Sequence, residues 1–475
     1  MNLTDILLFA AVAPFFTILV PRQWRAWGLF ILTLAAVGWL QYQSASSYAA
    51  FTLVVLTILL TIWVWWIIQP PLEGTGEARN AQDRLTLKIL IGVLGVMWLL
   101  ISLEHNHFDI MPFFVGGLMV VAGAMSLERI LPSRAQSLDT FKNTATIAIL
   151  IIVVILFGLK IPALTAFFSE WFGLSDRVQV APLAWLGFSY VAFRLISLLR
   201  DFQYGRLPQE GYTLRDVITY VLFFPAYTAG PIDQAQRFIP DLHALHAIDA
   251  QRLVQGCARI AIGVFKKFVV ADSLALLSLS ETLIERTDNA IGLWLLVYVY
   301  AFQIYFDFSG YSDVAIGLGK LYGITLPENF DRPYLQPNLQ QFWNRWHITL
   351  SMWFRGYYFS PISRALIRSK YSLPLNLNVF IAQVSTMVLI GLWHGVTLNF
   401  FLWGLWHGLG LFIFKLISDR TRLWHRRITQ RTIIKRIFYV MSVFITFHFV
   451  ALGWVFFALP NASQSVKMII RLFGG

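Results

Sequence analysis

Residues 374–395 read PLNLNVFIAQVSTMVLIGLWHG. These twenty-two residues contain no Asp, Glu, Lys or Arg. A helix of about 20 apolar residues is what crosses a hydrocarbon core near 30 Å. The run is continuously apolar rather than alternating, which predicts a transmembrane helix and argues against a barrel strand. It ends on a histidine. After four intervening residues beyond Trp393 a second apolar run begins, Leu398–Lys415, with another histidine, His407, at its middle.

The same pattern recurs along the 475 residues, of which 57% are hydrophobic and 13% charged. A soluble domain carries roughly 25% charged residues. Mean hydropathy is +0.64. Further spans are predicted at Asp5–Val20, Ala26–Leu40, Phe51–Ile68, Leu87–Leu103, Ile110–Leu127, Thr144–Leu159, Pro182–Leu199, Phe268–Leu283, Ile291–Phe306 and Ile437–Phe457. Lipid supplies no partner for a backbone amide, so helices are the default. The expectation is an all-α polytopic integral membrane protein with about eleven or twelve transmembrane helices, in the cell (inner) membrane. The Ile6–Leu19 segment lacks a positive n-region and a small-residue cleavage site, and reads as a retained span.

The net charge of +12 is 37 basic minus 25 acidic residues. Cytoplasmic loops rich in Lys and Arg explain it, and no basic stretch lies in a soluble domain that would hold nucleic acid. The basic loop Arg420–Arg436 is placed in the cytoplasm, as is Asp307–Tyr371, and the N-terminus outside. That parity requires Tyr212–Pro231 not to cross fully. Its Phe224-Pro225 and Gly230-Pro231 predict a broken or re-entrant helix. Arg252–Lys267 is too charged to span and reads as a helix on the cytoplasmic face. Cys257 is the single cysteine, which excludes an internal disulfide.

Nearly all the polar residues that look placed lie between Phe306 and Leu409. Asp307 and Asp313 sit at the end of an apolar span. An acid there either lines a wet path or caps a helix starting near Ser312, which Ser309, Ser312 and Asp313 would suit. Asn338–Tyr358 reads as one amphipathic surface helix with Trp anchors, on which His347 and Ser351 share a face. A neutral imidazole such as His394 can take a proton from a hydroxyl and return it, although a buried histidine is equally often a bonded structural residue. Gly391 and Gly395 leave room beside it for a backbone or a ligand, and Gly404 and Gly408 beside His407 suit helix packing. There is no paired-histidine metal motif, no phosphate loop and no nucleophile elbow, so no metal or bound cofactor is expected.

Several motifs together resemble the membrane-bound O-acyltransferase family, in its bacterial branch of alginate O-acetyltransferases and teichoic-acid D-alanyl transferases. They are Tyr305-Phe306-Asp307-Phe308-Ser309-Gly310-Tyr311-Ser312-Asp313, Pro327-Glu328-Asn329-Phe330, Phe342-Trp343-Asn344-Arg345-Trp346-His347 and Gly391-Leu392-Trp393-His394-Gly395. Leu186–Asp201 and Phe224–Phe238 also fit, so the resemblance covers roughly 180–415. It departs where Gly356 follows Phe354-Arg355 and where Ser363-Arg364 replaces a Gly-Gly pair. The resemblance implies that His394 is catalytic and that His347 is a second important residue nearer the cytoplasm.

On that basis the chain is divided into N-terminal helices at 1–180, a catalytic core at 181–415, and a basic loop with a last helix at 416–475. A central tunnel would admit an acyl thioester, from coenzyme A or an acyl carrier protein, on the cytoplasmic face. The acceptor would be a hydroxyl of an envelope polysaccharide, or a periplasmic or extracellular acyl-transfer partner. Asp307, Asp313, Asn329, Arg345 and Ser351 are candidate tunnel or substrate-binding residues. Acetyl is the first expectation for the acyl group and D-alanyl the second. A transporter or flippase also uses broken helices and intramembrane acids, and a non-catalytic assembly subunit would tolerate loss of His394.

Overall fold

Every regular element in the computed structural model is helical; it describes residues 1–44, 47–69, 76–104, 138–161, 163–166, 185–208, 210–244, 250–369, 373–428 and 430–475. The helices are α1 (Leu3–Leu19), α2 (Arg25–Tyr42), α3 (Ser47–Ile67), α4 (Gly76–Glu104), α5 (Leu138–Gly158), α6 (Phe188–Gln203), α7 (Leu214–Leu222), α8 (Ala235–Ala244) and α9 (Ala250–Val264). After a π-helical turn at Phe265–Ala271 come α10 (Asp272–Ala275), α11 (Glu281–Glu285) and α12 (Ala290–Leu321). The motif region supplies α13 (Leu339–Trp343), α14 (Ile348–Phe354) and α15 (Ser360–Ile367); α16 (Leu375–His394), α17 (Leu398–Ile428), α18 (Thr432–Ala458) and α19 (Ala462–Leu472) follow.

Seven of the described helices are long and apolar enough to cross a membrane: α3, α4, α5, α12, α16, α17 and α18. The shorter α1 is apolar as well. The chain is an all-α, multi-pass membrane protein. The span expected at Ile110–Leu127 lies outside the described residues.

Two compact units divide the chain, Met1–Arg259 with Ala315–Leu326, and Ile260–Val314 with Pro327–Gly475. In the first, Asp5 closes a capping box with Asn2 and accepts from Trp39 Nε1 (3.0 Å) and Gln43 Nε2 (2.9 Å). The expected break in Tyr212–Pro231 is present: α7 stops at Leu222 and a 3-10 turn covers Phe224–Ala226, all of it buried. Pro225 cannot donate and the turn leaves carbonyls open. The buried Arg194 of α6 fills them, donating to Val221 O (2.8 Å) and Ala226 O (2.7 Å). The span expected at Pro182–Leu199 is instead this 16-residue helix α6. Its buried Arg194 and Asp201 give the apolar run a polar duty inside the protein rather than in lipid.

In the second unit the span expected at Phe268–Leu283 is absent. The π-helical turn, two short helices and a Ser280 cap on Leu283 N–H replace it. Lys266 and Lys267 of that turn point at acids of α12, which breaks the apolar run's logic as a span. Nor does a new helix begin near Ser312: α12 runs unbroken for 32 residues, about 48 Å. Gly310 lets α12 lie close against the end of α9, because a Cβ there would lie 2.7 Å from Gly263 O.

α16 and α17 form a close hairpin. A Cβ on Gly404 would sit 2.5 Å from Met387 O, one on Gly408 2.9 Å from Val384 Cα, and one on Gly391 would overlap the Phe400 carbonyl. Gly391 therefore serves helix contact rather than ligand approach, and the Phe400 ring occupies the space beside Gly395.

Two outcomes follow for the first unit. Arg194→Ala leaves two buried carbonyls unpartnered, at about 1–3 kcal/mol each; a clearly lowered melting temperature in detergent is expected. His243, half exposed, bonds Asp216 at 2.8 Å, and that bond holds its imidazole above the ordinary value. The bond's contribution is full below about pH 6.5 and fades as pH rises through the raised value. Melting curves should show a small alkaline loss above neutrality that His243→Asn removes.

Candidate active site

The sequence from Asn338 to Tyr358 does not form one helix. Asn338 caps α13, α13 ends at Trp343, and α14 starts only after His347, whose φ of 42° and ψ of 56° are left-handed. Few side chains accept that conformation, though His is among those enriched there. Two hydrogen bonds explain the break. Ile348 N–H donates to Asn329 O (2.9 Å), and Thr349 N–H donates to Asn329 Oδ1 (3.3 Å). These are first-turn amides of α14, which have no partner within their own helix. Asn329 caps α14 from another segment, so the helix begins there.

Consequently His347 and Ser351 do not share a helix face as expected. The Trp residues are not lipid anchors either. Phe342, Trp343 and Trp346 are buried and stack with Tyr334, Trp403, Trp454 and His407 inside the protein. Aromatic bulk at helical spacing reads alike for a surface anchor and for a core, and here the core took it.

Asn329 is wholly buried with its amide engaged on both sides. Nδ2 donates to Ser312 Oγ (3.1 Å). Oδ1 accepts from Thr349 N–H, from Thr349 Oγ1 (2.9 Å) and from His347 Nδ1 (3.1 Å). The backbone donor identifies the atom facing the imidazole as the carbonyl oxygen, which only accepts. His347 Nδ1 therefore carries the proton and Nε2 offers a lone pair. That Nε2 is buried and has no hydrogen-bond partner among the described residues. Burial pushes the imidazole well below its ordinary pKa, with His394 adding to the shift, so the ring is neutral. Phe308 meets it edge-on at 4.6 Å and Phe330 lies stacked at 6.4 Å.

His394 closes α16. It is half-buried, among the rings of Trp393 (4.5 Å), Phe457 (4.9 Å), Trp403 (5.6 Å) and Phe400 (6.0 Å). Trp393 also lies 6.4 Å from His347, so one indole joins the two imidazoles. His407 is buried in an aromatic box with Trp403 (5.0 Å) and Trp343 (5.2 Å), and neither ring nitrogen has a partner among the described residues.

Of the other expected residues, Asp313 pairs with Lys266 (2.6 Å) and Asp307 with Lys267. Arg345 pairs with Asp331 where both are about half exposed. Ser351 lines a cavity of about 320 Å³ together with Gln340, Trp343, Arg355, Gln383 and Lys415. Trp343 Nε1 and Gln383 Oε1 are buried there without a partner among the described residues. Trp343 touches Trp403 (5.8 Å), which touches His394 (5.6 Å), so two rings separate the cavity from that imidazole. Sequence reading did not single out Thr349, Trp403 or Gln383. None carries a signal until the fold places it.

The profile of the membrane-bound O-acyltransferase family matches residues 96–455, well beyond the 180–415 expected. The chain belongs to the membrane-bound O-acyltransferase family. Among the relatives of this O-acyltransferase, a teichoic acid D-alanyltransferase of Streptococcus thermophilus is 32% identical over 291 residues, covering 58% of this chain and 68% of that protein. A probable alginate O-acetylase of Pseudomonas aeruginosa is 33% identical over 305 residues, 64% of this chain and 54% of the relative. A peptidoglycan O-acetyltransferase of Helicobacter pylori is 33% identical over 263 residues, 54% and 46% respectively. The match thus spans about half the length of the two O-acetylating relatives.

Replacing Asn329 with Leu removes the acceptor of His347 Nδ1–H and the Oδ1 acceptor shared by Thr349 N–H and Thr349 Oγ1. Losing a buried acceptor costs about 1–3 kcal/mol. A strongly depressed melting temperature is expected from thermal unfolding of the purified protein, and an unchanged one would remove Asn329 from this role.

Proposed function

We propose that this membrane-bound O-acyltransferase moves an acyl group, acetyl first, from a cytoplasmic thioester to a hydroxyl of a cell-envelope polysaccharide, with His394 as general base. The observation that carries the reading is the pair of imidazoles joined through Trp393, with unlike surroundings. His394 is half-buried and so within reach of an incoming hydroxyl. His347 is buried, neutral and fixed in one tautomer by Asn329.

The chemistry distributes itself accordingly. The acceptor oxygen attacks the thioester carbonyl carbon as His394 takes the hydroxyl proton. The new C–O bond forms, the C–S bond breaks, and the proton passes on to the departing sulfur. General-base help of this kind is worth about 10²–10⁴-fold. With its lone pair at Nε2, His347 accepts a hydrogen bond from the donor and orients it; in this tautomer it has no Nε2 proton to give the sulfur. On the donor side, the cavity beside Ser351 sets an indole N–H and an amide oxygen close to Arg355 and Lys415. An N–H and a C=O complement an amide, and Arg355, whose side-chain partner Asn344 is neutral, complements phosphate, with Lys415 beside it paired to Asp419. Coenzyme A and acyl carrier protein thioesters both carry amides and phosphate on the arm behind the sulfur, so this supports either donor.

The relative names favour acetyl transfer to a polysaccharide and, second, D-alanyl transfer to a teichoic-acid-like polymer. A transporter reading predicts movement of substrate with no ester formed.

Acyl transfer by His394→Ala, with membrane insertion and melting temperature matched to the parent, should fall by about 10²–10⁴-fold. Turnover near that of the parent would defeat the mechanism. Mass spectrometry of the envelope polymer then reads whether the new ester adds acetyl or D-alanyl.

A further inference from the structure

Where the ends of α17 and α18 approach the basic loop, a second and larger cavity opens, about 930 Å³. Three of its lining residues are cationic: Arg422 from α17, and Lys435 and Arg436 from the first turns of α18. No Asp or Glu lines it, and none of the three cations has an ion-pair partner among the described residues. The nearest acid along α17, Asp419, is held by Lys415 at 2.8 Å. Thr421, Thr432 and Ser418 add hydroxyls to the lining.

The remaining wall has another character. Phe414, Ile417, Phe438 and Val440 are apolar residues of the two spanning helices, toward their centres from the cations. Ile417 is 55% exposed and Val440 63%. Tyr439 fixes the third side, donating to Leu335 O (2.9 Å). A cationic, hydroxyl-bearing mouth thus continues into an apolar trough between two membrane-spanning helices.

We propose that this cavity binds an anionic phospholipid, with its phosphate against Arg422, Lys435 and Arg436 and an acyl chain along Ile417, Phe438 and Val440. Basic pockets between spanning helices on the cytoplasmic side are suited to anionic headgroups, and that is the side to which the Lys/Arg bias assigns this loop. A soluble anion would account for the cations but leaves the trough without an occupant; a zwitterionic lipid fills the trough but leaves three like charges uncompensated. The site is independent of the acyl-transfer reading. Its bearing on the protein is mechanical, because α17 carries His407 and packs along α16, the helix that ends on His394.

The test is native mass spectrometry of the whole protein released from micelles doped with equal phosphatidylglycerol and phosphatidylcholine. Retention of phosphatidylglycerol over phosphatidylcholine is expected. Each neutralised cation should weaken it by about fivefold, so Arg422→Gln/Lys435→Gln/Arg436→Gln should retain the two lipids equally. All three side chains are exposed, so folding should survive their loss. The control Arg420→Gln/Arg431→Gln removes nearby charge that does not line the cavity and should keep the preference. Equal retention by the parent, an unaltered preference in the triple variant, or an equal loss in the control would overturn the proposal. Displacement of the lipid by an equal concentration of inorganic phosphate would show that the phosphate alone is recognised, and would overturn the lipid assignment.

Discussion

A carboxamide inside the protein must satisfy both of its ends, and Asn329 does so by joining its own segment to α14, to α12 and to His347. It accepts from the first amides of α14, so it decides where that helix starts. It donates to Ser312 on α12 and accepts a hydrogen bond from His347 Nδ1–H. The left-handed turn at His347 is the geometric result. An imidazole on a regular helix would project at an angle set by its neighbours. One at a broken junction is aimed by its own backbone and held by a second residue. Strained φ/ψ values recur at functional sites for this reason.

Around that junction the protein is unusually aromatic. Trp393, Trp403, Trp343, Trp346 and Trp454 form connected ring contacts from His347 through His394 to His407. Such walls exclude water and strengthen the few polar interactions they enclose. The acids of α12 are handled differently: each faces a lysine of the π-helical turn, so charge on a spanning helix is met by charge.

Much of the fold could be read from the chain. Runs with no charge, such as 374–395, or with one, such as Leu398–Lys415, became α16 and the first part of α17, because length and apolarity leave a helix in lipid little alternative. Proline and glycine in Tyr212–Pro231 marked a real break, though not that Arg194 would cap it. Errors came where an apolar run had another partner than lipid. Phe268–Leu283 looked long enough to span, but its neighbouring lysines serve α12. Asn338–Tyr358 looked amphipathic, but its aromatic face is core and a residue some eighteen positions upstream of His347 interrupts it. The residues the structure brings together as a candidate site were singled out as motifs, both histidines and Asn329 among them. Their division into a fixed, buried imidazole and an approachable one was not, since it rests on contacts between segments distant in sequence.

The account stands on the claim that acyl transfer takes place beside His394. A cryo-electron microscopy structure with a carbon-for-sulfur analogue of acetyl-coenzyme A bound would test it most directly. The account predicts the analogue's acyl carbonyl beside the His394 ring, with its amide arm within reach of Trp343 and Gln383. An acyl group seated elsewhere, with no contact to that imidazole, would contradict it.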